Sequence, residues 1–372
     1  MSGLRLSAAL LTLLASACGD RSDPIRIGLA GPFSQTRGVS MRRGAALAVE
    51  EVNRAGGVGG RPLELVVADD SADADAAVRV AQRLSETPGL VAVVGHLTSG
   101  TTMAAAPVYN APDRPIVHIS PSASSPRLRD AGPYSFRVCP SDRAHAASLA
   151  EFARTQLAAE TAAVLYENDE YGRGLRSAFR DAFAQRGGVI VADEPYLSIL
   201  PTFEPYLRRL DRATGADIIV VAGSATGAER VVATMDTVGI ALPVIGADGL
   251  VGMTMPANAR QRIFISAAYL AERPGPRNRA FVAAYRAAYR EALPDHRGAG
   301  AYDAVHLLTQ AMTEVGPDRE AIRRYLADVG SERPGFPGVT GMIAFDANGD
   351  VTRRDVLIGI LQGGRIVRAA GQ

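Results

Sequence analysis

The chain has no lysine, so every one of its basic residues is arginine. That removes lysine Schiff-base chemistry and any Walker-type phosphate loop, which needs Gly-Lys-Ser/Thr. Cysteine is nearly absent, with only Cys18 and Cys139 present. Cys139 lies in Phe136-Arg137-Val138-Cys139-Pro140, which reads as a strand end carrying a structural thiol. If Cys18 is taken up by processing, Cys139 has no partner for an intramolecular disulfide. After the N-terminus no stretch reaches the roughly 18 consecutive apolar residues that suggest a membrane-spanning helix. An excess of charge is missing too: 40 basic residues face 39 acidic ones, for a net charge of +1. No nucleic acid or other polyanionic partner is expected from that balance.

Catalytic and metal motifs are also missing. The histidines (His96, His118, His145, His296 and His306) have no metal-ligand spacing. Asp346-Ala347-Asn348-Gly349-Asp350 looks like the start of a calcium loop, but the loop's sixth and twelfth positions are Val351 and Leu357 instead of Gly and Glu. An Asn-Gly hairpin turn is expected there instead. Gly223-Ser224-Ala225-Thr226-Gly227 is no nucleophile elbow, because its serine is off centre. The acidic loop Glu167 to Glu170 has no partner histidine and reads as a solvated rim. No enzyme, metal or cofactor is expected.

What is present begins with an export signal. Arg5 precedes an apolar run from Leu6 to Ala15, and Ala15-Ser16-Ala17 leads into Cys18. The run is too short to span a bilayer core of roughly 30 Å. Ala-Ser-Ala-Cys resembles a bacterial lipobox. That implies a signal peptide over 1–17, a lipid-modified Cys18, and an exported protein held at a periplasmic or cell-surface membrane. Ordinary secretion with an incidental cysteine is the alternative.

The rest of the 372 residues, 47% of them hydrophobic and 21% charged, can fill the cores of two domains. Apolar strand runs alternate with helical periodicity. Strands are expected at 25–29, 63–68, 91–95 and 115–120, with helices near 41–53, 74–85 and 101–110 between them. The pattern restarts with a helix near 143–156 and strands at 162–166, 189–192, 218–222, 243–246 and 263–268. Helices follow near 277–291, 299–315 and 319–328, and strands return over 342–367. Strands separated by helices imply mostly parallel, doubly wound sheets, an α/β class. Ligands of such sheets bind beyond the carboxyl ends of the strands. Polar loops fall there: His96 to Thr101, Ser120 to Ser125, Glu167 to Gly172, and Gly246 to Gly249.

Several segments, in order, resemble the leucine/isoleucine/valine-binding protein family, the type I periplasmic solute-binding proteins of branched-chain amino-acid ABC transporters. They include Ile27-Gly28-Leu29-Ala30-Gly31-Pro32, Asn53-Arg54-Ala55-Gly56-Gly57, Ala68-Asp69-Asp70 and Val94-Gly95-His96. Further matches are Ile119-Ser120-Pro121-Ser122-Ala123-Ser124, Tyr171-Gly172 and Gly246-Ala247-Asp248-Gly249. The resemblance implies two α/β lobes joined by three crossovers, with a ligand cleft between them. The crossings are expected near 140, 269 and 343, giving lobe 1 as 24–140 plus 270–342 and lobe 2 as 141–269 plus 343–372. It also implies hinge closure on a small amino-acid-like ligand and docking on a transporter permease.

Seven residues are candidates for the ligand site. Ser99, placed just before a helix, with Ser122 and Ser124 in a second turn, would offer hydroxyls and backbone N–H groups to a carboxylate and ammonium. Helix capping is the structural alternative for such serines. Asp248 matches the family's acidic residue, usually Glu, and would accept from the ammonium; the alternative is an Asp-Gly turn. Tyr171 matches an aromatic that closes over the ligand. Ser224 stands where the family often has another aromatic. Arg37, in a loop expected over 33–40, would pair with a second anionic group or remain an exposed loop charge. The expected function is the solute receptor of an ABC importer. A sensor on the same fold, reading amides, urea or short carboxylates, is the alternative.

Overall fold

The structure, a computed structural model, describes residues 23–369 except 201, 214, 256–259 and 353–355, and leaves the side chains of 211–213 aside. The expected signal peptide over 1–17 and the lipidation site Cys18 lie outside the described residues. The chain folds into two α/β lobes.

The first sheet takes β1 (Ile25–Gly31), β2 (Leu63–Asp69), β3 (Leu90–Val94), β4 (Val117–Ser120) and β5 (Ser135–Arg137) in the order β2-β1-β3-β4-β5, every pairing parallel. Helices α1 (Thr36–Arg54), α2 (Ala74–Glu86) and α3 (Ser99–Tyr109) connect them. All of β3 is buried, because helices cover both faces of a parallel sheet.

The second sheet holds β6 (Thr161–Glu167), β7 (Val189–Tyr196), β8 (Ile218–Ala222), β9 (Val244–Gly246) and β10 (Ile263–Ala267). These five run parallel in the order β10-β9-β8-β6-β7. Helices α4 (Asp142–Thr155), α5 (Glu170–Ala184), α6 (Glu204–Ala213) and α7 (Ala225–Val238) accompany them.

The chain then returns to the first lobe. Helices α8 (Pro276–Ala288), α9 (His296–Val315) and α10 (Arg319–Asp328) precede a short hairpin of β11 (Phe336–Gly338) and β12 (Gly341–Ile343). Residues of α9 and α10 share a buried cluster with β1, β3 and β4. Finally β13 (Leu357–Gln362) and β14 (Arg365–Arg368) add antiparallel to β10 at the edge of the second sheet.

Three local outcomes bear on the site. Helix α1 begins at Thr36, five residues before the expected Met41, so Arg37 sits in a first helical turn instead of a loop. Gly38 permits this, since a Cβ there would lie 2.3 Å from the Pro32 carbonyl oxygen. Helix α9 likewise begins at His296, because Asp295 caps it by accepting from the N–H groups of Arg297 and Gly298. The segment after 343 stays with the first lobe. Ile343 and Phe345 are buried in its cluster, Arg137 N–H donates to Gly349 O, and Asp350 pairs with the buried Arg137 at 2.6 Å. Thr352 N–H still donates to Ala344 O. The Asn348-Gly349 turn expected here is present, with Gly349 at φ 74° and Phe345 bridged antiparallel to Val351.

Candidate functional site

The loops at the carboxyl ends of both sheets enclose a cavity of about 1000 Å³. Arg37, Ser99, Ser122, Ser124, Tyr171, Ser224 and Asp248 all line it. The fold thus gathers residues that span more than 200 positions of sequence into one space.

The first-lobe wall is a set of short polar turns. Ser99 is the first residue of α3, and the cap is Thr98, whose hydroxyl accepts from Thr101 N–H. Ser99 is therefore free of the capping duty that its sequence position suggested. Its hydroxyl instead accepts from Ser125 N–H at 3.1 Å, tying the two turns together. Ser122 N–H and Ala123 N–H both point at the Ser120 hydroxyl. Behind these turns, buried His96 meets Asp70 at 2.6 Å and Tyr109 at 3.1 Å, and its carbonyl accepts from Ser120. This network holds the ends of β2, β3 and β4 in register.

The second-lobe wall carries the acid. Asp248 is 3% exposed, at the start of a single 3-10 turn after β9. Tyr171 donates its hydroxyl to Asp248 Oδ1 at 3.4 Å and accepts from Gly249 N–H at 3.0 Å. Ser224 caps α7, accepting from Gly227 N–H, and its own N–H donates to Glu167. Asp169 caps α5. The acidic loop is more than a solvated rim: Glu170 accepts from Ser125 Oγ at 2.8 Å and Arg127 at 2.9 Å, across the lobes.

Four further residues gather here without having stood out in the sequence. Arg297 donates to Asp295, at 2.9 Å, and to the carbonyl oxygens of Val251 and Asp248 across the cleft. Burial raises the Asp295 carboxyl, but the charges of Arg297 and His296 and the Gly298 N–H outweigh it and hold the group at about 2. His296 reaches Ser122 Oγ at 3.1 Å and Asp248 Oδ2 at 3.6 Å, so it touches both walls. Burial, then the Arg297 charge, lowers this imidazole to about 4, which keeps it neutral at physiological pH. His145 lies 3.8 Å from the same Asp248 oxygen. Burial lowers its pKa as well. Asp142, wholly buried at the start of α4, completes the group. The only sequence signal for Arg297 and His296 was Asp295 as a helix cap. Asp142 and His145 had none beyond their helix.

Burial, then the charge of Asp248, pushes the Asp142 carboxyl well above the usual carboxylate range. A raised folded-state value means that the folded protein holds this proton more tightly than the unfolded chain. Its stabilising contribution is present at low pH and is lost as pH rises above about 4, the unfolded value, toward the folded one. Asp142→Asn keeps the shape without the charge. The variant is expected to melt above the parent at pH 7.5, and the gap should shrink toward pH 4.5. Melting curves across that range check it, and a gap that does not change with pH would contradict the assignment.

Hydroxyls of the first-lobe turns and the buried carboxylate of Asp248 line one cavity. Among the described residues no cluster of His, Cys, Asp or Glu is arranged to hold a metal ion.

Comparison with known proteins places the chain. Residues 24–365 match the family described as periplasmic binding protein. The leucine-, isoleucine-, valine-, threonine-, and alanine-binding protein of Pseudomonas aeruginosa is 27% identical, the match covering 95% of this chain and 94% of that one. An ABC transporter substrate-binding protein from Desulfitobacterium hafniense, solved in complex with Leu, is 32% identical with a TM-score of 0.81, over 93% of this chain and all of that one (100%). A branched-chain amino acid transporter substrate-binding protein from Streptococcus pneumoniae, in complex with isoleucine, is 29% identical with a TM-score of 0.82, over 92% and 97% of the two chains. With its two α/β lobes and the cavity between them, the chain belongs to the periplasmic binding protein family.

Proposed function

We propose that this protein is the solute receptor of an ABC importer and that it closes its lobes on an amino acid or a related small polar molecule. One observation carries the reading: first-lobe hydroxyls and second-lobe Asp248 meet in one cavity of about 1000 Å³. A carboxylate suits the former and an ammonium the latter. The relatives named above, with their bound leucine and isoleucine, support the same class of ligand.

In this reading Ser99, Ser122 and Ser124 hold the head group, Tyr171 and Asp248 meet it on closure, and Ser224 and Arg37 face its distal part. Lobe 1 is 24–140 with 270–352, and lobe 2 is 141–269 with the strands from 357 onward. Closure is driven by the ligand's higher affinity for the closed arrangement, and the closed receptor then docks on a permease. Export, with a lipid on Cys18 as the membrane anchor, puts the cleft on the side where solutes arrive.

A thermal-shift screen tests the proposal, with purified protein against amino acids, amides, urea, polyamines and small carboxylates. Ligand at about 100 times its dissociation constant adds roughly 2.7 kcal/mol of stability. At least one α-amino acid is expected to raise the melting temperature. If none does while urea or an amide does, the sensor reading replaces this one.

A further inference from the structure

Resting on the amino-acid receptor reading, we infer that the ligand carries a second anionic group, a side-chain carboxylate, and that Arg37 receives it. Arg37 lines the cavity from the first turn of α1. Its Nε donates to Gln35 Oε1 at 2.8 Å, and Gln35 is itself held by donating to Ser71 O at 2.8 Å. This brace fixes the guanidinium plane and leaves its two terminal nitrogens without a partner among the described residues. Burial, then the charge of Arg297, disfavours the cation here and lowers its pKa.

Carboxylates do stand in the neighbourhood, and each has other work. Glu167 accepts from Ser224 N–H at 3.0 Å, and Asp169 from Gly172 N–H at 2.7 Å. Asp70 is bound to His96 at 2.6 Å and to Ala72 N–H at 2.9 Å. Asp295 is paired with Arg297. Arg37 is the guanidinium in the cavity without such a partner. An aliphatic ligand side chain would cover it, exclude water and leave the charge offset only by the carboxylates of Glu167, Asp169 and Asp70, which are not bonded to it, and that is costly. A carboxylate would supply two acceptors to the planar fork. The opposite wall carries Ser224 and Thr226, and with them the carboxylates of Glu167, Asp169 and Glu229, so the acid must lie against Arg37 and away from that wall. The ligand class is therefore an acidic amino acid.

Calorimetric titration of the protein with L-glutamate, L-aspartate, L-glutamine, L-leucine and L-arginine tests this. Glutamate or aspartate is expected to bind about 10- to 100-fold tighter than glutamine, the factor a charge-assisted bond supplies. In Arg37→Gln the ratio of glutamate to glutamine affinity should collapse toward one. Tighter binding of leucine or arginine than of either acid overturns the inference and leaves the receptor reading standing. Equal weakening of all ligands by Arg37→Gln also overturns it, since that is the behaviour of a latch across the lobes to Glu167 or Asp169. Binding of no amino acid at all overturns both. The ranking in the parent protein decides the matter even if the variant fails to fold.

Discussion

Asp248→Ala is expected to weaken binding of an amine-bearing ligand by about 10- to 100-fold, the factor carried by a hydrogen bond to a charged group. The same acid without its amine should lose far less. The carboxylate is buried, and its Oδ2 has no hydrogen-bond partner. Two imidazoles approach that oxygen, at 3.6 and 3.8 Å, but neutral imidazoles leave its charge in place. An ammonium is the missing complement. Asp248 lines the cavity from the start of a short turn. Fold loss is not expected to confuse the result. The Asp248 charge is the second largest cause of the raised Asp142 pKa, so its removal relieves a strained neighbour. Calorimetry of matched pairs, an amino acid against its des-amino analogue, is the measurement. Equal losses for both would remove Asp248 from the ammonium role.

Gly44→Ala is expected to destabilise the protein by about 2 kcal/mol or more, against the direction of helix propensity. Propensity alone favours alanine over glycine in a helix by roughly 1 kcal/mol. Yet a Cβ at 44 would lie 2.0 Å from the Gly298 carbonyl oxygen, and at 298 a Cβ would meet the Ser40 hydroxyl at 2.5 Å. Helices α1 and α9 thus cross in backbone contact, and the added methyl must push them apart, the overpacking cost of a dense core. These helices carry Arg37 and Arg297, so the displacement should reach the cavity as well. A lowered urea midpoint with an unchanged slope, together with weaker ligand binding, is the expected pair of results. A variant as stable as the parent would show that the helices slide apart at no cost.

The parallel α/β class could be read along the chain because its signals are local. Buried strands such as Leu90–Val94 are apolar runs, and their helices show their own period. The loops that carry the first-lobe serines, Tyr171 and Asp248 could be read for a related reason, while the roles of those residues within them are what the family resemblance implies. In this topology the loop after a strand is the ligand loop, so a polar turn following an apolar run already names its place. Arg37 is legible as a candidate but its helix is not, because nothing in Phe33 to Ser40 announces that Gly38 lets α1 start early. The capping alternative weighed for Ser99 does not apply, since Thr98, one residue earlier, does that work.

Arg297, His296, His145 and Asp142 were not legible. Each sits in the first turn or so of a helix, and only the return of the chain from the second lobe to the first brings α9 beside Asp248. The shifts at Asp142 and His145 are set by burial and by the charge of Asp248, more than 100 positions away in the chain, which no window of sequence contains. The sequence by itself determined the alternation of strands and helices and which polar loops follow the strands, because those follow from periodicity and short-range turns. Tertiary structure alone decided the electrostatics of the cleft, because charge and desolvation act through space: it left the terminal nitrogens of Arg37 without a partner among the described residues and set Asp248 between two neutral imidazoles.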